Sequence, residues 1–552
     1  MLLLKKISKK EYLFILLLSL ILIIITSAPF LYGYFTAPPD KYFLGLHSLS
    51  PGDYPVYYSW MMPAYQQRFF IKDLYTQEAA AYNIINTFWF FSGLLGKILN
   101  ISPRVAFQLS RILSIPVLLT SLYLLISHYF KSYKKRLAAL LFLTFSTGIS
   151  GFITAPLYNQ SYLISGYYHL PLDLWVSESN IFLTLLHSGH MALSLSLMIL
   201  IFYFSLLFIK NYNFKYSLIA GILNLILLSF HPYPIPVIFG VLGVFWLVVS
   251  SKNKKINFKL LAHLLIIFFI TLPLLIYYFL MLNFDFVTAG RALQNICLTP
   301  AFYFLFLSFG FILLFGLVGL TQFFKNKNYQ DDNHLFLFIW LIVQSILIYS
   351  PFSFQRRLTA GLQLPLTFFA LFALFYFYNF LKKKLSASTF NIFVNNKILW
   401  FFLFIPLFFF SNLYTLAVDF SYVYLKDSSN YYPSSEIAAM RWLKNNLKEN
   451  VLILARPAYS AHILPGLAGK NVYAGHQVET VNYQEKKLAA EWFYKTNDFD
   501  AQKIDFLTQN KISHIYYGQP EQKLGDFIPD EKKYLKKIYE NSDVAVYEVM
   551  IN

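Results

Sequence analysis

The chain reads as a series of long apolar runs separated by short polar breaks, with two stretches where that pattern gives way to mixed amphipathic segments. The first run, 12–35, follows Lys5, Lys6, Lys9 and Lys10. It is too long for a signal-peptide core and ends in no convincing small-residue cleavage site, so it reads as an uncleaved span with its N-terminus inside. Further spans are predicted near 106–130, 137–155, 180–209, 216–230, 235–251, 260–282, 301–324, 334–350, 361–381 and 398–420. Each is close to the roughly twenty residues a bilayer core requires. The run 180–209 is long enough to be either one tilted span or a short re-entrant piece followed by a span. The predicted fold class is a polytopic α-helical membrane protein of about eleven transmembrane helices with a C-terminal extracytoplasmic α/β domain.

Two stretches fall outside the membrane. One is an outer loop, about 36–105, where Pro51-Gly52 forms a turn before Asp53-Tyr54 and a mixed run follows from Glu78 to Leu99. The other is the tail after about 425, where charge rises and helix and strand patterns alternate. A helix opens at Ser435-Glu436, strands are predicted at 451–455 and 514–517, helices near 485–495 and 500–510, and a hairpin over 537–547. The domains are therefore 1–424, a transmembrane part that includes the outer loop 36–105, and 425–552, a small α/β domain.

Loop charge supports the alternation. Lysine-rich clusters at 131–136, 210–215, 252–259, 325–327 and 382–384 all fall on the side of the N-terminal lysines, as the positive-inside rule demands, and the tail then lies outside. Only 13% of the residues are charged and 57% are hydrophobic, against about 25% charged in soluble domains. The net charge of +18 is spread through short loops between apolar spans, so it is a topology signal and not a nucleic-acid footprint. A single cysteine, Cys297, excludes an internal disulfide framework or a Cys-based metal site.

Ionisable residues near spans are expensive and mark candidate chemistry. Asp53 follows the first span in an aromatic stretch with Tyr57. It is either a general base tuned by partial burial or the N-cap of a short interfacial helix. The outer stretch ending at the fourth span holds His169, Asp173, Glu178, His187 and His190. His187 and His190, three apart, would share one helix face with Glu178 at its mouth. Such a trio could take a divalent metal, although no His-Glu-x-x-His frame is present and no cofactor is certain. Interhelical hydrogen bonding by the histidines is the structural alternative. His231, in Phe-His-Pro-Tyr-Pro, reads as a helix-ending turn.

The arginines, nine against thirty-six lysines, are more selective. Arg291 and the pair Arg356-Arg357 fall on the outer side, against the positive-inside trend. Guanidinium forks bind phosphate bidentately, and Arg356-Arg357 stands just before a span, where a lipid phosphate would lie. Snorkelling to head groups is the alternative that needs no ligand.

This arrangement resembles the GT-C class of membrane glycosyltransferases, among them the protein mannosyltransferases and aminoarabinose transferases. An inner N-terminus, a large first outer loop, many spans and an outer α/β tail carry the resemblance. It implies transfer of a sugar from a polyprenyl-phosphate donor to a glycan, lipid or protein acceptor on the outer face of the cytoplasmic membrane. It also implies an acid soon after the first span as base, which Asp53 matches. Tyr54 stands where the mannosyltransferases have a second acid, leaving Glu178 and Glu78 as candidates for that role. Arg356, Arg357 and Arg291 are the expected donor-phosphate ligands, with His190, Glu78 and Tyr57 as further substrate contacts. Arg356-Arg357-Leu-Thr-Ala-Gly-Leu-Gln-Leu-Pro-Leu resembles bacterial relatives, as does the tail stretch 472–480, for which the residues suggest no role. A transporter or lipid flippase, with charged or broken-helix sites at mid-membrane, and a non-catalytic envelope scaffold are the rival readings.

Overall fold

The first long helix, Lys9–Phe35, starts where a capping box allows it. The Ser8 amide donates to Glu11 Oε2 at 2.7 Å and the Glu11 amide to Ser8 Oγ at 3.4 Å, which satisfies two donors that the first turn leaves open. The computed structural model describes residues 7–82, 84–153, 163–164, 167–168, 170–396 and 405–550. Among these, seven helices are long and apolar enough to cross a membrane. They include Lys9–Phe35, Pro103–Tyr129, Gly189–Asn211, Ile235–Lys252, Phe258–Phe284 and Tyr303–Lys325, and the seventh ends at Lys384. Two shorter apolar helices are Lys215–Leu228 and Asp332–Leu347. Large apolar side chains stay uncovered along them, Leu16 and Phe269 at 63% and 60% exposure, which is the surface hydrocarbon would cover. The chain is a multi-pass membrane protein.

Two predicted spans differ. The span expected at 137–155 is a helix of only 13 residues, Tyr133–Phe145, and the one expected at 398–420 begins in residues outside those described. The chain divides into two units. One comprises Met1–Ser27, Ser110–Leu275 and Cys297–Asp419; the other comprises Ala28–Leu109, Ile276–Ile296 and Phe420–Asn552.

In the first unit, the basic loops gather at one end. Arg136 Nη1 pairs with Glu11 Oε1 at 3.0 Å, His128 Nε2 meets Asn333 Oδ1 at 2.8 Å, and Lys252 Nζ meets Asp332 Oδ1 at 2.9 Å. The opposite end is closed by backbone bonds, Cys297 N to Ser353 O at 2.6 Å and Arg356 N to Cys297 O at 2.9 Å. Asp332–Leu347 runs between the two ends. The short helix Tyr133–Phe145 stops because the next residues are needed elsewhere. The amides of Thr147 and Ile149 donate to the carbonyls of Phe408 at 2.8 Å and Leu307 at 2.9 Å. Gly148 permits this approach, since a Cβ there would lie 2.2 Å from the Leu307 oxygen. Gly310, at φ 43°, breaks Tyr303–Lys325 beside it. Irregular backbone of this kind survives in a membrane protein only where protein groups satisfy it.

The predicted run 180–209 resolves into its second alternative: a short helix, Ile181–His187, then Gly189–Asn211. Ser188 between them is extended, with φ −156° and ψ 140°. Gly189 sets the break, because a Cβ there would come within 2.9 Å of the Arg111 backbone.

The second unit holds the tail, and its elements follow the predicted order. Strand Leu452–Leu454 lies between Asn471–Val472 and His514–Tyr517, parallel to both. Ala545–Val549 then adds antiparallel to His514–Tyr517, with Leu535–Glu540 at the edge as its hairpin partner. Helices Ser434–Asn446, Tyr483–Lys495 and Asp500–Gln509 complete the α/β layer. Within this unit the loop 36–105 packs with the tail. Lys41–Phe43 pairs antiparallel with Tyr431–Pro433, and Val472 N donates to Leu74 O at 2.9 Å. Helix Ser460–Ala468 lies against Asp53–Tyr65 so closely that a Cβ on Gly466 would sit 2.6 Å from the Pro55 oxygen.

Candidate functional site

In the first unit, cations are mounted on aromatic faces at the end opposite the basic loops. A single turn, Gln355–Thr359, carries both arginines ahead of the helix Gln363–Lys384. The Arg356 guanidinium lies 4.3 Å from the Trp175 ring centroid, and that of Arg357 lies 4.7 Å from Tyr233. Arg357 Nη1 stands 3.7 Å from Glu178 Oε1, whose side chain is 9% exposed. That separation is too long for a hydrogen bond, so the pair is a loose ion pair in a partly dry site. His190 and His231 pack edge to face with centroids 5.5 Å apart. Each imidazole Nδ1 meets a serine hydroxyl, Ser188 at 2.6 Å and Ser194 at 2.7 Å. The cluster combines two delocalised cations, one carboxylate, two half-buried aromatic rings and two buried imidazoles. It suits a phosphate group attached to an apolar chain.

The expected sharing of one helix face by His187 and His190 is corrected by the break at Ser188, which puts them on different helices. Among the described residues, no three His, Cys, Asp or Glu side chains are grouped to hold a metal ion, so His187, His190 and Glu178 do not form such a set. His169 lies outside the described residues. His231 ends a helix as expected, its amide donating to Leu227 O at 2.9 Å. The aromatic partners Trp175 and Tyr233 were missed. Their sequence signals are weak: Trp175 stands three residues before Glu178, and Tyr233 sits in the His-Pro-Tyr-Pro turn.

The second unit holds the other candidates. Asp53 is the first residue of the helix Asp53–Tyr65, and the cap is Gly52, which makes no side-chain capping bond. The N-cap alternative is therefore corrected by one position: Pro51-Gly52 supplies the turn, and Asp53 places its charge in the first turn, where the helix dipole favours an anion. Tyr57 is 7% exposed and stacks on Trp89 at 4.7 Å and Phe107 at 6.1 Å, inside an aromatic core.

Arg291 and Glu78 are engaged within this unit. Arg291 Nε lies 3.5 Å from Asp73 Oδ2, and Nη2 pairs closely with Glu479. Lys486 Nζ donates to both oxygens of Glu78 at 2.6 Å. Burial works against an ionised Glu78, but the hydrogen bonds from Lys486 and Thr76 outweigh it and hold the carboxyl below its usual range. The stretch 472–480 also acquires a structural role here. Thr480 Oγ1 accepts from Gly475 N at 3.0 Å and donates to Tyr75 O at 2.7 Å, while Ala474 bridges to Thr76.

No family model matches the chain, and no curated protein matches it in sequence. Solved structures do match. The apo oligosaccharyltransferase of Archaeoglobus fulgidus aligns with a TM-score of 0.56 at 11% identity, covering 96% of this chain and 73% of that one. The archaeal oligosaccharyltransferase AglB from Archaeoglobus fulgidus, in complex with an inhibitory peptide and a dolichol-phosphate, gives 0.55 at 12% identity, covering 93% and 70%. The Archaeoglobus fulgidus enzyme tethered to an acceptor peptide with the NVT sequon gives 0.51 at 12% identity, covering 93% and 69%. At such identities the likeness establishes the fold: the chain has the GT-C architecture that its sequence resembles.

Proposed function

We propose that this chain is a membrane glycosyltransferase that takes a sugar from a polyprenyl-phosphate carrier and passes it to an acceptor hydroxyl on the outer face of the cytoplasmic membrane, with its N-terminus inside and its tail outside. The observation that carries this reading is the aromatic-mounted pair Arg356 and Arg357 on a chain of this fold. The AglB complex with dolichol-phosphate supports a lipid phosphate as the ligand class. In the proposed reaction the acceptor oxygen forms a bond to the anomeric carbon as the anomeric C–O bond to phosphate breaks. The electron pair leaves on the phosphate, and the acceptor proton passes to a carboxylate. A single displacement of this kind inverts the anomeric centre.

Arg356 and Arg357 stabilise the departing phosphate, and Asp53 is assigned the base role. Glu178 is assigned the accessory-acid role and, at 3.7 Å, is the loose counter-charge of Arg357. Tyr57, Arg291 and Glu78 serve the packing and ion pairing of their own unit.

The test is binding of undecaprenyl phosphate to the purified chain in detergent, with undecaprenol as the uncharged control. Replacing Arg356 and Arg357 together by Gln removes charge-assisted hydrogen bonds worth roughly 1.5–3 kcal/mol each, so affinity falls at least tenfold. Equal binding of phosphate and alcohol, or unchanged binding by the double variant, overturns the assignment. The helix breaks at Ser188 and Gly310 favour a second reading, a transporter. Flux of a lipid-linked sugar across sealed vesicles without transfer chemistry would select it.

A further inference from the structure

The second unit contains a cavity of about 670 Å³, within the roughly 300–1,000 Å³ of small-molecule sites. It is lined from five separate stretches of the chain, and its charge balance is lopsided. Lys41, Arg456 and Lys523 face it, against one carboxylate, Glu436. Glu436 already has its donors. It accepts from Tyr516 Oη and from Gln519 N at 3.0 Å, and burial holds it above its usual range. The cavity is therefore cationic towards anything that enters.

Arg456 is presented in a fixed pose. Its Nη1 donates to Pro520 O at 2.9 Å, and its guanidinium lies 4.1 Å from the Tyr459 ring centroid. The other edge, formed by Nε and Nη2, meets no protein acceptor among the described residues, and Nε is buried. A buried charged N–H without an acceptor is an expensive arrangement. This open edge is the one a carboxylate or phosphate fills with two parallel hydrogen bonds.

His476 adds a neutral donor. Its Nδ1 receives the amides of Val478 at 3.2 Å and Glu479 at 3.3 Å. An amide can only donate, so Nδ1 carries the lone pair and the ring proton sits on Nε2. Burial, with His462 and Arg291 nearby, keeps this imidazole well below its usual pKa and therefore uncharged. Thr480 fixes the turn by accepting from the amides of Gly475 and His476. The stretch 475–480 thus does more than join two segments: it sets a histidine of defined tautomer in the wall of the cavity that Arg456 also lines.

The remaining lining mixes tyrosine faces, Tyr432 and Tyr459, with the amides of Gln477 and Gln519. Aromatic faces cover the C–H face of a sugar ring, and amides satisfy its hydroxyls. We infer that this cavity binds an acidic saccharide, its anionic group held by the open edge of Arg456 and its hydroxyls by the surrounding amides and His476. That the ligand is the glycosyl acceptor rests on the transferase reading above; the binding itself does not.

The experiment is equilibrium binding to the full chain in detergent. Trigalacturonic acid is compared with its methyl ester, and glucose 6-phosphate with glucose. At least one acid is expected to bind about tenfold or more tighter than its neutral parent, and Arg456→Gln to weaken that acid by about 10–100-fold. Lys523 is exposed, so Lys523→Gln leaves the fold intact; it is expected to weaken acid binding several-fold and flatten its salt dependence. That second variant carries the test if Arg456→Gln fails to fold. Equal affinity for both acids and their neutral parents, acid binding untouched by either variant, or tetraglutamate binding as tightly as the sugar acids overturns the inference. Acid-saccharide binding in a preparation inactive with lipid-phosphate sugars keeps this site and removes the transferase reading; transfer without such binding does the reverse.

Discussion

Arg291 offers the sharpest separation between a substrate cation and a structural one. Its sequence position, an arginine against the charge trend, suggests phosphate binding. In the fold it lies between Asp73 and Glu479, whose side chains are only 4% and 8% exposed, while its own is 15% exposed. Replacing it by Met leaves two carboxylates in a low-dielectric setting. Removing one member of a buried ion pair costs about 3–5 kcal/mol, and exposures this low leave little solvent screening to discount. For a domain of some 150–250 residues, each kcal/mol moves Tm by roughly 2–4 °C, so Arg291→Met should lower the apparent Tm by at least about 6 °C. The triple variant Arg291→Met, Asp73→Asn, Glu479→Gln should recover most of this, because no orphan charge remains. The single variant's deficit should also shrink at acid pH, where the stranded carboxylates protonate. Thermal unfolding in detergent, with limited trypsin digestion reporting loss of the second unit, measures both effects. An unchanged Tm together with lost lipid-phosphate binding would refute the structural assignment and restore Arg291 to the substrate.

Three further outcomes are expected. Asp53→Asn removes a first-turn charge worth about 0.3–1 kcal/mol to the helix, and, if Asp53 is the base, slows transfer by about 10²–10⁴-fold; near-wild-type turnover removes the base role. Gly189→Val drives a side chain into the Arg111 backbone, and overpacking of this kind costs about 1–3 kcal/mol, read as a lowered apparent Tm that Gly189→Ala reproduces in part. Burial and the neighbouring Glu436 push Glu521 up to about 7 from an ordinary 4.5. The native state therefore holds a proton that the unfolded chain releases, and stability is fullest below about pH 4.5 and declines as pH rises towards 7, by about 3 kcal/mol at 1.36 kcal/mol per unit. Glu521→Gln should flatten that slope in pH-dependent unfolding, and an unaltered slope would assign it to other groups.

What the sequence reveals here depends on whether the signal is local. His514–Tyr517 and the hairpin of Leu535–Glu540 with Ala545–Val549 are legible because alternating apolar residues flanked by turn residues specify strands without help from distant segments. The basic loops are legible because lysine clusters need no partner to interrupt an apolar run. The helix breaks are not. Within a run where nearly every residue is apolar, periodicity carries no information about where a helix stops. The stop after Phe145 is written in the carbonyls of Leu307 and Phe408, and the one at Ser188 in the backbone of Arg111. Asp53 is a near miss of another kind: the Pro-Gly turn is visible, and only the backbone decides that Gly52 holds the cap position.

The arginines show why scarcity alone is a poor guide to ligand sites. In this chain lysines gather in short loops between the apolar runs, and arginines provide fixed geometry wherever a fork is needed, whether or not a ligand is involved. Arg111 spends its donors on Thr26, Ser27 and the Leu185 carbonyl, at 2.6, 2.8 and 3.1 Å. Arg136 is bound to Glu11 and to the Phe130 carbonyl, at 3.0 and 2.7 Å. Each of these forks is closed by short contacts to immobile acceptors, and an incoming phosphate would have to break bonds already made. Arg357 differs in kind: its carboxylate partner stands at 3.7 Å, beyond hydrogen-bond length, and its face rests on Tyr233. A phosphate oxygen could enter the gap between Arg357 and Glu178, while the ring keeps the guanidinium plane in place. The same reasoning singles out the open edge of Arg456. On this criterion Glu178→Gln should leave undecaprenyl phosphate bound at least as tightly as before, since the loose counter-charge competes with the ligand for Arg357. A marked loss of binding would instead make Glu178 a contact that the lipid phosphate needs, and would place the decisive geometry on the carboxylate side of the pair.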